Sequence, residues 1–457
     1  MATEGNGKEN LRSTISTTAI CSSIFSGVLL SYWDNILGPR SQKLWVGNDK
    51  IKITADIISF VSSHTLNGEL CRIREEGQTD TKFYVLSDRE CIFFASIFLG
   101  TAKAGQTIYS LAFIIALEDL NRFLQLQTFL NKQIETIVMK FRVLQEKNLP
   151  KSVNNFSIHI ERLANAVELI QKNKLPIQDI LIGCTIFGNK EKADIGKLYD
   201  SKFLMRVITS HLQTSGCTVV VGTREDHVNF VLNTLAQFLT PSERACSRYA
   251  ISSEDCSYER HLFLQGLLKG TNGYDIESKD VLINSLPTTL IDIDTREVKQ
   301  TSELRLHLTT RFEFLRLYLN QILEGEAPVF PTKGLFNDCE DIAIMVQTFV
   351  SEIQLLPDID SVRERYIKNF LCLLNQKATT LISYIHAKSL RGVDVISLDD
   401  IRKMRIDLSL LSEADFQIVL AQAEKNRPGI VPFLFKTITR YESSEQGADM
   451  NFPPFFR

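Results

Sequence analysis

Val219-Val220-Val221-Gly222-Thr223 is where the spacing of residues comes nearest to a chemical motif. An apolar run ends in glycine just ahead of a helical stretch, the place of a phosphate-binding loop. Such a loop needs spaced glycines to present backbone amides and a lysine before Ser or Thr. Arg224-Glu225-Asp226 follows instead, so the run reads as a core strand. The seven histidines, His64, His159, His211, His227, His261, His307 and His386, are scattered, with no two four residues apart. His211 falls near a helix end, where a structural role is expected. Asp399-Asp400 opens a helix, and capping explains that pair. No G-x-S-x-G, H-E-x-x-H or G-x-G-x-x-G is present. Cys246 lies two residues after Arg244, a cation that would lower a thiol pKa, but it sits on a well-capped helix where an inert buried thiol is expected. The nine cysteines include no C-x-x-C pair, so neither a zinc ribbon nor a redox pair is indicated. No catalytic residue, metal or organic cofactor is expected.

The composition bounds the rest. At 457 residues the chain has room for two to four domains. Hydrophobic content is 44% and charged content 23%, ordinary for a globular protein. With 51 basic and 54 acidic residues the net charge is −3, which argues against a nucleic-acid partner held through phosphates. Ile401-Arg402-Lys403-Met404-Arg405 is the densest basic patch and reads as a solvated helix face. The dispersed cysteines fit reduced, mostly buried thiols in the cytosol. The polar start of the chain lacks the apolar core of a signal peptide, and the apolar runs at 91–99 and 108–117 are too short to span a bilayer. The expected localisation is cytoplasmic, with peripheral membrane association only.

The elements follow from hydrophobic periodicity. Five strands are expected over 25–33, 44–53, 82–87, 91–99 and 108–117, with a helix at 55–63. A long helix over 119–147 carries Leu120, Phe123, Leu124, Leu130, Ile134, Ile137, Val138, Phe141 and Leu144 on one stripe. The order β-β-α-β-β-β-α describes a small α/β sandwich. A further helix is expected over 156–173. Then come a helix at 203–214, a buried strand at 217–221 and a helix at 227–239, which imply a largely parallel, covered sheet. Thr240-Pro241-Ser242-Glu243 is a capping box with proline in the first helical position. Strands are expected at 262–268, 281–283 and 290–294, with a turn at Asn272-Gly273. Helices are expected over 311–324, 338–356, 361–388, 397–408 and 412–426, the last two N-capped by Ser397 and Ser412.

The turn Tyr32-Trp33-Asp34-Asn35-Ile36-Leu37-Gly38-Pro39-Arg40 closes the first apolar run and resembles the first hairpin of longin–DENN proteins. Further blocks agree in the same order. They are H-T-L-N-G-E from His64, K-F-Y-V-L-S from Lys82, S-H-L-Q-T-S-G-C-T-V-V-V-G from Ser210, L-T-P-S-E-R-A-C-S-R from Leu239 and F-L-Q-G-L-L-K from Phe263. Lys377 to Ile385, and Ala423-Glu424-Lys425 with Pro428-Gly429, carry the match into the helical half. The chain thus resembles the longin–DENN family, more narrowly its chromosome-nine open-reading-frame branch, over about residues 25 to 430.

The polar start reads as a disordered tail over 1–19, with a helical linker over 151–195 and a C-terminal tail over 441–457, segments that lie outside the matching blocks. The resemblance implies a longin (upstream DENN) domain over 20–150, a central DENN α/β domain over 196–308 and a downstream DENN helical domain over 309–440. It also implies a regulator of Rab- or Arf-type small GTPases, by nucleotide exchange or as a subunit of a GTPase-activating complex. The implied partners are a second longin–DENN protein and, through the complex, a WD-repeat protein, in autophagy, lysosome and endosomal trafficking. A regulator reshapes another protein's site, so its own sequence needs no bond-making residues. Activation adds an arginine finger; Arg40 and Arg224 are the loop arginines available, and a partner chain can supply one instead. The other reading is a scaffold that stabilises and positions its DENN partner. In a longin sheet 82–87 is an edge strand, with Lys82, Tyr84 and Leu86 on one face and Phe83 and Val85 on the other. That edge either joins a partner's sheet or is covered by the chain's own 72–81 loop.

Overall fold

The computed structural model describes residues 15–69, 79–102, 105–147, 149–176, 180–188, 200–252, 257–270, 276–324, 335–390, 396–410 and 412–434. The chain divides into two compact units, Met1–Gln127 with Gln133–Leu169, and Thr128–Lys132 with Ile170–Arg457.

In the first unit the strands are β1 (Ser16–Ala19), β2 (Phe25–Asp34), β3 (Gly38–Val46), β4 (Thr79–Leu86), β5 (Cys91–Ala102) and β6 (Gly105–Ala116). They form one sheet in the order β1-β3-β2-β6-β5-β4. All neighbours are antiparallel except β1 and β3. Three helices accompany them, α1 (Ala55–Leu66), α2 (Leu120–Lys147) and α3 (Leu149–Lys172). Side-chain alternation sends Phe93, Ala95, Ala112 and Ile114 to one face, where they pack with Ile57 and Val61 of α1. The opposite face carries aromatic contacts to the other helices: Phe98 and Tyr109 meet Phe141, and Trp45 meets Phe156. The fold is therefore the expected α/β sandwich.

Three elements differ from the sequence reading. Ser16–Ala19, expected in the tail, is a strand paired in parallel with Lys43–Val46. All four residues are exposed, so backbone pairing forms this strand and no apolar pattern announces it. The strand expected over 44–53 runs instead from Gly38 to Val46. Its polar first half is held by the β2 ladder, by Ser41 bonding Ser62 at 2.7 Å and by Lys43 donating to Ser157 at 2.9 Å. The helix expected from 156, within a linker, starts at Leu149 with Pro150 in its first turn, where proline is tolerated. Its Phe156 is fully buried, 4.6 Å from the Phe141 ring, so this helix builds the core of the first unit.

The second unit has a five-stranded sheet, β7 (Thr218–Gly222), β8 (Leu264–Leu268), β9 (Thr289–Asp292), β10 (Glu297–Gln300) and β11 (Asn337–Asp338), ordered β11-β10-β9-β7-β8. Strand β7 is fully buried and pairs in parallel with β8 and β9; β10 and β11 add antiparallel. Its helices are α4 (Ser201–Gln213), α5 (Glu225–Ala236), α6 (Pro241–Ala245), α7 (Ser278–Ile283), α8 (Leu304–Glu324), α9 (Ile344–Leu355), α10 (Asp360–Leu390), α11 (Leu398–Asp407) and α12 (Glu413–Asn426). The sheet is mixed rather than largely parallel, because the β9–β10 hairpin escapes a reading based on apolar runs. Val281-Leu282-Ile283, expected as a strand, ends helix α7: three apolar residues have no period, and packing on Phe314 of α8 decides. The helix expected from 338 starts at Ile344, because Asn337 and Asp338 pair with β10. The one expected from 311 starts at Leu304. The Asn272-Gly273 turn and the 325–334 segment lie outside the described residues, as do 1–14 and 441–457.

The caps read from the sequence form as expected. The Thr240 side chain accepts from Glu243 N, while the Glu243 carboxylate accepts from Thr240 N at 2.8 Å. Ser397 accepts from Asp400 N at 3.1 Å and Ser412 from Asp415 N at 3.0 Å. Ser412→Ala should lower stability by about 1 kcal/mol, seen as a lower urea midpoint at an unchanged slope.

Candidate partner-binding edge

Strand β4 ends the first unit's sheet and, among the described residues, pairs only with β5, in register from Thr79↔Phe98 to Leu86↔Cys91. Its outer backbone groups are the open ladder onto which another strand can add. The alternation expected for Lys82, Phe83, Tyr84, Val85 and Leu86 is present, and the two faces do different things.

Lys82 is committed inward. Its ammonium donates to the carbonyls of His64 and Thr65, at 3.1 and 3.0 Å, and so caps the C-terminal end of α1. It also pairs with the buried Glu69 carboxylate at 2.8 Å. Tyr84 stacks on Phe93 with ring centroids 4.7 Å apart, and Leu86 packs with it against the α1-side core. On the other face Phe83 stacks on Phe123 of α2 at 5.7 Å yet remains 41% exposed, and Val85 is 48% exposed. Leu124, expected on the buried stripe of α2, is also 48% exposed. Of the five residues, Phe83 and Val85 have side chains free to meet a partner, and Lys82 fixes the strand to its own helix. Most of the 72–81 loop, the alternative cover, lies outside the described residues.

The other candidates resolve individually. At the carboxyl end of β7 the parallel order turns over, which is where open α/β sheets bind ligands. Here Asp294 fills that place: its carboxylate accepts from Thr223 N at 3.0 Å and from Thr223 Oγ1 at 3.2 Å, ahead of α5. Lys269, at the end of β8, pairs with Asp292 at 2.7 Å and Asp294 at 3.0 Å. A carboxylate therefore occupies the helix start that a phosphate would take. Gly222 serves packing, since a Cβ there would lie 2.5 Å from Ile293 and 3.0 Å from Val228.

Cys246 is buried, and burial pushes its thiol up to about 11, opposite to an activated nucleophile. His211 is buried and donates to or accepts from Thr218 Oγ1 at 2.8 Å. Arg40 lies in β3 opposite Tyr32, not on a loop. Arg224 stands at the head of α5, exposed, with its guanidinium on Asp226 at 2.6 Å. Such an exposed, solvent-screened pair is weak and would yield to a stronger partner. In the basic patch Arg402 and Lys403 are exposed while Ile401 and Met404 are buried, the solvated helix face expected. No group of three His, Cys, Asp or Glu residues is arranged to hold a metal among the described residues. No described helix is long and apolar enough to cross a membrane.

The sequence model of the C9orf72-like protein family matches residues 60–307. The Homo sapiens protein named guanine nucleotide exchange factor C9orf72 is 32% identical over 437 residues, covering 89% of this chain and 90% of that one. The chain belongs to the C9orf72-like family. The Rattus norvegicus homolog of that exchange factor is 31% identical over 436 residues, with the same coverage of both chains. Family membership thus agrees with the blocks that resemble longin–DENN proteins, and the matched region takes in β4 and β7 together. Among solved structures the K. lactis Lst4 longin domain is 13% identical, covering 32% of this chain and 97% of that one, at a TM-score of 0.22. That likeness is too loose to bear on the assignment.

Proposed function

We propose that this protein is a guanine-nucleotide exchange factor for a Rab- or Arf-type small GTPase, working while paired with a second longin–DENN chain. The observation that carries the reading is the extent of its likeness to proteins named as exchange factors, 32% identity over 90% of the human one. The site agrees with it. Exchange requires a surface that deforms the GTPase's nucleotide pocket, and this chain's own phosphate-loop position is filled by Asp294. The partner joins by strand addition along β4, with Phe83 and Val85 filling apolar positions on the incoming chain. A WD-repeat protein joins through that complex, and its setting is autophagy, lysosome and endosomal trafficking from the cytoplasm. Arg40 and Arg224 remain the arginines to examine if the complex activates hydrolysis instead. A scaffold that only positions its DENN partner is the competing reading.

The test is release of a fluorescent GDP analogue, and separately GTP hydrolysis, over a Rab and Arf panel. The chain alone is compared with its affinity-purified complex. Faster GDP release with at least one GTPase supports exchange, whereas an unchanged rate across the panel with an intact complex leaves the scaffold.

The edge is tested on its own. Val85→Pro removes a backbone donor and Val85→Lys puts a charge on the strand. Each variant that keeps its circular dichroism should lose on the order of tenfold or more in partner affinity, about 1.4 kcal/mol. Unchanged co-purification by both would show that β4 is not the interface.

A further inference from the structure

The β2–β3 hairpin ends in two adjacent aliphatic residues, Ile36 at 91% exposure and Leu37 at 61%. A lone exposed apolar side chain needs no explanation. This pair is different because the turn beneath it is built and internally satisfied. Asp34 Oδ1 accepts from both Ile36 N at 2.8 Å and Leu37 N at 3.0 Å. Gly38 adopts φ +76 with nothing within 4 Å of a notional Cβ, and Pro39 carries no N–H. The tip is held in one shape, with few backbone donors left to satisfy.

The rungs behind it follow an order. Trp33 pairs with Pro39 and Tyr32 with Arg40, so aromatic and basic groups sit one and two rungs back, about 3 and 7 Å behind the Asp34–Gly38 rung. Trp33 is partly buried against Leu66, Ile97 and Ile108, and its carbonyl accepts from Thr107 at 2.6 Å. Tyr32 lies 6.0 Å from the Tyr109 ring. Behind the aliphatic tip comes the Asp34 carboxylate, engaged by the two turn amides, then the aromatic collar and the basic side chain; that carboxylate apart, the order is the depth profile of a lipid interface.

We propose that the β2–β3 tip is a membrane wedge, with Ile36 and Leu37 entering the acyl boundary of a bilayer and Tyr32, Trp33 and Arg40 at headgroup depth. Lipid rather than a protein pocket is indicated by the internal satisfaction of the turn amides. Hydrocarbon offers backbone groups no partner, whereas a protein pocket does. Two aliphatic side chains give weak, reversible insertion. The wedge therefore sets the orientation of a chain that other contacts bring to the surface. It does not depend on the exchange reading, and the experiment involves no GTPase.

The chain carries its own reporter. It has two tryptophans, of which Trp45 is fully buried and Trp33 stands at the collar. The full-length protein is titrated with phosphatidylcholine–phosphatidylserine vesicles up to millimolar lipid, with acyl chains brominated or not. Tryptophan emission should fall only with brominated lipid, and the quenching should vanish in Trp33→Phe. Ile36→Ser with Leu37→Ser should cut partitioning on the order of tenfold or more while leaving the circular dichroism unchanged. Absence of quenching in the natural chain overturns the proposal, and so does quenching that survives the double serine variant. Loss of a co-purifying protein by that variant, with vesicle binding retained, also overturns it and assigns the tip to a protein pocket.

Discussion

Acidification from pH 7.5 to 5 should destabilise the second unit, by about 2 kcal/mol for each of the buried histidines His211 and His307, with His261 acting in the same direction. Burial holds His211 down to about 3, reinforced by the Lys425 charge. Burial likewise holds His307 at about 4, with Arg311 adding to it. His261 lies well below the ordinary value, again chiefly through burial, with Arg260 and Arg311 among the cations around it. A histidine whose folded pKa is depressed stabilises the fold above its unfolded pKa, near 6.5. That stabilisation is lost as pH falls from there toward the folded value. Carboxylates such as Asp292 and Asp400, held below their ordinary value of 3.8, do not titrate in this window. Urea unfolding at several pH values should give a slope approaching three protons taken up per chain between pH 6 and 5. A slope of one proton or fewer would sink the account.

Arg363→Met should cost the second unit about 2–4 kcal/mol, because it removes the buried donor that ties the 187–188 and 356–358 segments together. Arg363 is 4% exposed on α10. Its guanidinium donates to Phe187 O, to Gly188 O at 3.3 Å, to Leu356 O at 3.1 Å and to Pro357 O at 3.1 Å, and it pairs with Asp358. The methionine fills similar volume but leaves four carbonyls without that donor, and for those of the buried Phe187 and Gly188 the loss is costly. Thermal unfolding of the variant should begin at lower temperature, and amide exchange should rise first around 356–358. A shift in midpoint of under one degree would show that water replaces the guanidinium at little loss.

The side-chain-capped helix starts were legible in the sequence because a cap is local: Thr240, Ser397 and Ser412 each bond an amide within three residues, whereas the starts at Leu149, Leu304 and Ile344 were not. The alternation of β4 was legible for the same reason, since the period of two follows from the backbone alone. The partition of labour across that alternation was not. Lys82 looks like any edge lysine until α1 is placed so that its last carbonyls meet the ammonium. Strand β1 and the polar half of β3 also escaped, because their order comes from a neighbouring ladder rather than from their own side chains. The absence of a phosphate loop after Gly222 could be read from residue spacing, but that Asp294 occupies its place could not, as Thr223 and Asp294 lie 71 residues apart and meet only at the ends of β7 and β9. By itself the sequence determined periodicity, caps and family, which are carried by residues close in the chain or by matching blocks in order. The tertiary structure decided which edge stays open, which charges are already paired and which histidines are held neutral, because those depend on contacts and desolvation that form only when distant segments pack.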